Sequence, residues 1–209
     1  ELASRLQTEA AEAKTLRGVG LTCVRRYWER IPIDEDRRRR ADSLAEAVCG
    51  AIVPDPIKRL VSKLATQGRE MVPHATAPGD LLDVALEFEC VPDDDWAAEG
   101  YDLAYIEARA IEAMDLAATR KPADGIDFAD MLFLPVRNRW MPKHYDLAVV
   151  DEAQDMSVTQ LELAMGVCAG RIAVVGDSNQ AIYAFRGADS GSLDRLKAQL
   201  DATELGLNT

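Results

Sequence analysis

The sequence predicts an α/β fold in which a partial parallel sheet carries an inserted all-helical subdomain. Two short apolar runs, Leu147-Ala148-Val149-Val150 and Ile172-Ala173-Val174-Val175, each end in a polar turn bearing carboxylates. Continuous apolar runs of that length are the mark of strands buried on both faces. Between them lies a segment with helical start and stop signals, and strand, helix, strand with short links reads as a βαβ unit. The first half of the chain, by contrast, is rich in helix formers and has no competing strand signal.

Taken in order, residues 2–13 are rich in Ala, Glu, Leu and Gln and predict a helix, and residues 43–53 predict another after a charged stretch. Pro54 and Pro56 punctuate, after which Ile57, Leu60, Val61 and Leu64 recur at helical spacing over 57–65. Two prolines interrupt residues 71–79. Helices are expected again over 80–89 and, past the acidic loop Pro92-Asp93-Asp94-Asp95, over 104–119. Asp127 is placed to cap a short helix through Phe128, Met131 and Leu132, with Pro135 and a basic, aromatic connector over 137–144 beyond it. Ser157 and Gln160 have capping-box spacing for the crossover helix, and Gly170 fits its stop. In a parallel sheet the ligand crevice lies at the carboxyl ends of the strands, where both acidic clusters fall.

Composition narrows the function classes. With 36 acidic against 24 basic residues and a formal net charge of −12, the chain is not built to coat a polyanion, although a local groove remains compatible with that balance. No apolar run approaches the length that spans a bilayer and no secretory leader is visible, so the expectation is a cytoplasmic protein without membrane partners. Cys23, Cys49, Cys90 and Cys168 lack zinc-site spacing and read as reduced, buried thiols. His74 and His144 are too few and too separated for a histidine metal cluster. The four arginines from Arg37 to Arg40 are flanked by Asp34, Glu35, Asp36 and Asp42 and read as a solvated helix face. The connector over 137–144 reads as a packed loop.

Two motifs carry chemistry. In Val149-Val150-Asp151-Glu152-Ala153-Gln154-Asp155 an apolar strand delivers adjacent carboxylates to its tip. One can bind a magnesium ion and the other can orient or deprotonate a water, the Walker B arrangement. The second motif runs Val174-Val175-Gly176-Asp177-Ser178-Asn179-Gln180-Ala181-Ile182-Tyr183-Ala184-Phe185-Arg186-Gly187-Ala188-Asp189. Its amide can sense a phosphate, and Tyr183, Phe185 and Arg186 offer faces for base stacking.

Together these stretches resemble the UvrD-like helicases of superfamily 1, in which D-E-x-Q-D is motif II and G-D-x-x-Q-x-I-Y-x-F/W-R-G-A is motif III. The resemblance implies a RecA-like P-loop NTPase sheet and an ATP-dependent DNA helicase that couples ATP hydrolysis to translocation on single-stranded DNA and to unwinding at duplex junctions. It implies ATP and Mg²⁺ as cofactors, Asp151 on the metal, Glu152 activating the attacking water, and Gln154 and Asp155 coupling the nucleotide site to its neighbours. Gln180 would contact the γ-phosphate, Tyr183 and Phe185 would lie along the strand, and Arg186 would support that contact. Thr15-Leu16-Arg17-Gly18-Val19-Gly20 is similar to the T-L-H-G/S-x-G stretch that faces the strand, with Arg17 in place of the usual His. Residues 125–132 resemble the D-F-x-D-L/M-L segment that packs beneath motif II, a structural role.

On this reading residues 1–33 belong to the motor subdomain after motif Ia, 34–120 form the helical insertion, and 121–209 carry motifs II and III. No G-x-x-x-x-G-K-[ST] occurs in the chain. The expectation is therefore a fragment, inactive alone, whose phosphate loop and second motor domain lie in the remainder of the same polypeptide. Two other readings are a subunit of a recombination helicase-nuclease and a non-enzymatic DNA-binding remnant.

Overall fold

The computed structural model describes residues 11–34, 37–123, 125–177, 197 and 202–205, with the side chains of 37–39 excluded. Helices dominate: α1 (Leu16–Arg25), α2 (Arg37–Cys49), α3 (Asp55–Met71), α4 (Leu82–Glu87), α5 (Asp94–Ala98), α6 (Leu103–Thr119) and α7 (Asp130–Arg137) precede β1 (Tyr145–Val150). A 3₁₀ turn (Ala153–Asp155), α8 (Val158–Val167) and β2 (Cys168–Val174) follow. β1 and β2 pair in parallel, with Val149 opposite Ala173 and Val150 opposite Val174, so the predicted βαβ unit is present.

Caps explain most of the boundaries. Thr15, Asp93 and Asp102 each accept a hydrogen bond from the backbone N–H three residues on, fixing the starts of α1, α5 and α6. At α8 the capping box is complete: Gln160 N–H donates to Ser157 Oγ (3.3 Å) and Ser157 N–H to Gln160 Oε1 (2.8 Å). Asp127 does cap, accepting from Asp130 N–H at 2.7 Å, but the regular helix begins only at Asp130 and carries Pro135 within it.

Pro135 has no N–H to give the carbonyl four residues back, that of Met131. Gly20 of α1 lies against that oxygen: a β-carbon there would sit 1.9 Å from it. The two helices meet through a residue with no side chain, at a carbonyl whose donor four residues on is missing.

Four expectations are corrected. Residues 11–15 are not helical, because Thr15 caps α1 and the chain before it runs free of helical hydrogen bonds; residues 2–10 lie outside the described set. Gly170 does not stop the crossover helix but sits inside β2, where a β-carbon would be 2.1 Å from the Asp146 carbonyl oxygen of β1. The strands are not covered on both faces among the described residues: Leu147 is 54% and Val149 67% exposed, because only the face toward α8 is packed. Arg40 is not a solvated face residue, since its Nε donates to the fully buried Asp130 at 3.0 Å.

The largest apolar core joins α2, α3 and α6 (Leu44, Ile57, Leu64, Ile106, Met114) to Val24, Ile126 and Phe133 from the segments on either side of the helical block. Beneath it lies a buried ionic node. Arg69 of α3 donates from Nη1 to Asp130 (2.9 Å) and pairs through Nη2 with Asp127 (3.6 Å), while its carbonyl accepts from Thr159 Oγ1 of α8 (2.7 Å). Four helices and the Asp127 turn are thereby tied at one point. Burial would lower the Arg69 pKa, but Asp127 and Asp130 outweigh it and hold the guanidinium charged. Burial, reinforced by Asp127, pushes the Asp130 carboxyl up. All four cysteines are free, and Cys23, Cys90 and Cys168 are buried as expected. Among the described residues no helix is long and apolar enough to cross a membrane.

Candidate functional site

The tips of β1 and β2 lie side by side. Val175 N–H donates to the Val150 carbonyl (2.8 Å) and Ala153 N–H to the Val175 carbonyl (3.0 Å), so the pairing continues past both strands and holds Asp151 and Glu152 beside Asp177. Asp151 and Glu152 are exposed, whereas Ala153 and Gln154 turn inward and are buried. A chain that must bury residue 153 directly after an exposed pair has to turn sharply, and Glu152 absorbs the turn with φ 53° and ψ 42°. That is the left-handed region, costly for a residue with a side chain and found where surrounding structure holds it in place.

Hydrogen bonds fix the result. Glu152 N–H donates to Asp151 Oδ1 (3.0 Å), and Gln154 Nε2 donates to Glu152 Oε2 (2.7 Å). The other end of the same amide, Gln154 Oε1, accepts from Asp177 N–H (3.1 Å). One buried side chain, 2% exposed, therefore spans the two strand tips and orients a carboxylate on one of them. The bond leaves Glu152 Oε1 without a protein donor among the described residues.

The donor set fits a magnesium ion held chiefly by nucleotide phosphates and water, which takes one or two carboxylates from protein rather than a cage. Asp151 is exposed, and its hydrogen-bond partner among the described residues, Glu152 N–H, uses Oδ1. Among the described residues no three His, Cys, Asp or Glu converge.

A model of the UvrD/REP helicase N-terminal domain matches residues 5–201. The chain belongs to that family. Within it, the chain is 35% identical over 99 residues to the ATP-dependent DNA helicase Rep of Salmonella typhimurium strain LT2, covering 42% of this chain and 14% of that protein. It is 35% identical over 96 residues to Rep of Escherichia coli K12, covering 41% and 14%, and over 88 residues to Rep of Buchnera aphidicola, covering 37% and 13%. The matched stretch thus spans about one seventh of the Rep proteins it resembles.

In this UvrD/REP domain the structure brings together Asp151, Glu152 and Gln154, with Asp155 exposed at the end of the 3₁₀ turn. Gln180, Tyr183, Phe185 and Arg186 lie outside the described residues. Arg17 is remote from the strand tips in its contacts: exposed on α1, it rests 5.5 Å from the centre of the Phe128 ring. Sequence reasoning missed the buried node of Arg69, Asp127, Asp130 and Thr159. The D-F-x-D spacing announced two of its members, but a lone arginine in an amphipathic helix carries no sign that it is buried.

Proposed function

We propose that the chain is the part of an ATP-dependent DNA helicase that supplies the catalytic carboxylates, on a RecA-like P-loop NTPase sheet. The parent couples ATP hydrolysis to movement along single-stranded DNA and to unwinding at duplex junctions. The observation that supports this reading best is the Gln154 bridge, which ties the orientation of Glu152 to the backbone of Asp177 on the neighbouring strand tip. A change at the second tip is then felt by the carboxylate on the first.

In the proposed mechanism Asp151 would hold a magnesium ion, which would supply positive charge against that developing on the transferred phosphoryl group. Glu152 accepts a proton from the attacking water. Its Oε2 is occupied by the Gln154 amide and Oε1 is the atom left to take the proton, so Gln154 acts as a positioning residue. Gln180 senses the γ-phosphate, and Tyr183, Phe185 and Arg186 follow the strand. Residues 34–120 serve as the helical insertion between the two motor segments 1–33 and 121–209. The chain contains no phosphate loop, so turnover is proposed for a polypeptide that adds one along with the second motor domain. In that longer polypeptide Glu152→Gln is expected to abolish DNA-stimulated ATP hydrolysis by a factor of about 100 or more while nucleotide binding persists. Retained hydrolysis would refute the assignment. The chain by itself is expected to hydrolyse no ATP.

A further inference from the structure

The chain has a formal net charge of −12, yet one stretch of its surface runs the other way. At the end of α1, Arg25, Arg26 and Tyr27 are all exposed, and neither arginine has a carboxylate partner among the described residues. Tyr27 stacks on Trp140 with ring centres 4.6 Å apart and planes 12° from parallel. Trp140 in turn meets the edge of the partly buried Trp28 at 5.3 Å. Tyr27 is the outer ring of this stack and remains 56% exposed. Packing alone does not account for a tyrosine held flat on a supported tryptophan with more than half its surface open.

The residues on either side of Trp140 lead into a cavity. Arg139 and Met141 line it, together with Val136, Lys143, Gly166 and His74, and its volume is about 370 Å³. Arg139 is exposed and has no acidic partner among the described residues. Lys143 Nζ donates to the carbonyls of Met165 (3.1 Å) and Cys168 (2.7 Å), which fix its position without cancelling its charge. His74 pairs with Glu162 at 2.8 Å. A fixed lysine and an exposed arginine in one lining with Val136 and Met141 suit a phosphate joined to a less polar body.

We propose that Tyr27 and the cavity between Arg139 and Lys143 form a contact for single-stranded nucleic acid, the ring taking a base and the cavity an adjoining phosphate. An exposed aromatic face beside cationic side chains is the combination by which single strands are held without sequence preference, because every base offers a face. The contact lies at the end of α1 and before β1, at the opposite end of the strand from Asp151.

The test is fluorescence anisotropy of a labelled oligothymidylate titrated with the chain at several salt concentrations. Tyr27→Ala should weaken binding about tenfold, and Tyr27→Phe, which keeps the ring, should bind as the parent does. Arg139→Gln should lower the slope of log affinity against log salt by about 0.7, the share of one phosphate contact on a single strand. Unfolding midpoints of all three variants report that the fold is kept. Unchanged affinity in Tyr27→Ala together with an unchanged salt slope in Arg139→Gln would overturn the contact. So would a blunt duplex bound as tightly as the single strand, since paired bases offer no free face. Phe185→Ala in the same titration separates the two sites: a loss there with none at Tyr27 defeats this contact and leaves the helicase reading standing.

Discussion

Replacing Gly20 by alanine adds one methyl group to the middle of α1, and two effects oppose each other. Alanine is the better helix former by about 1 kcal/mol, which favours the variant. The added carbon, however, would lie 1.9 Å from the Met131 carbonyl oxygen and 2.9 Å from its carbon, both backbone atoms. A carbon–oxygen contact needs about 3.3 Å, so α1 and α7 must part by about 1.4 Å or tilt. Neither atom is the end of a flexible side chain, and the third neighbour, Leu163 Cδ2 at 3.3 Å, belongs to α8. Parting the helices opens the small cluster of Cys23, Leu132, Val136, Leu163 and Val167 that they share. Overpacking of this kind costs about 1–3 kcal/mol even where side chains absorb it, and backbone atoms absorb less. The clash wins, and a net loss of about 2 kcal/mol is expected. Gly18, two residues earlier in the same helix, is the control: a β-carbon there meets only Thr15 Oγ1 at 3.4 Å, so Gly18→Ala should gain about 0.5–1 kcal/mol. Urea unfolding of the two variants beside the parent measures both shifts, with the denaturant slope expected to stay constant. A Gly20→Ala chain as stable as the parent, or less affected than Gly18→Ala, would refute the close-approach reasoning.

Other outcomes follow from the buried polar groups. Arg69→Met leaves Asp127 without its cation and Asp130 with Arg40 alone, and should cost about 3–5 kcal/mol at neutral pH. Asp130 already has a raised pKa from burial and from Asp127, so its contribution is fullest below its unfolded value and is lost as pH rises. Losing Arg69 extends that loss, and the deficit of Arg69→Met relative to the parent should shrink as pH falls from neutral into the carboxylate range, checked by urea midpoints at both pH values. Tyr145, half-buried and donating to Glu12 at 2.6 Å, has its pKa pushed up to about 12 by burial and by that hydrogen bond. A raised pKa gives stability that is complete below the unfolded value near 10 and lost as pH climbs toward 12, so Tyr145→Phe should flatten the alkaline limb of a thermal unfolding series. Gln154→Leu removes both bonds across the strand tips and leaves Asp177 N–H without its acceptor, for an expected loss of about 1–3 kcal/mol by thermal unfolding.

Much of this molecule is written locally, and local rules made it legible. Ser157 and Gln160 announce the start of α8 because a capping box needs only residues three apart. The apolar runs before Asp151 and Asp177 announce parallel strands, and the D-E-x-Q-D pattern announces the family, because both depend on neighbours in the chain. Gly170 was misread for the same reason: glycine after a helix has a local explanation, while its actual role is to let β2 approach the Asp146 carbonyl of β1, which no local rule foresees.

The sequence by itself determined the βαβ unit and most of the later helices, the place of the carboxylates at a strand tip and the family that uses them, while the helix at Leu16–Arg25 and the one that begins at Asp94 inside the acidic stretch were not read from it. Only the tertiary structure decided that Glu152 sits in the left-handed region, that Gln154 spans both tips, and that Arg69 lies in the core with Asp127 and Asp130. The first follows from burying Ala153 directly after an exposed pair, and the other two join residues far apart in the chain and bury groups whose type favours water. Burial of a charge is set by what the rest of the fold packs around it, and that information is not carried by the residue or its neighbours.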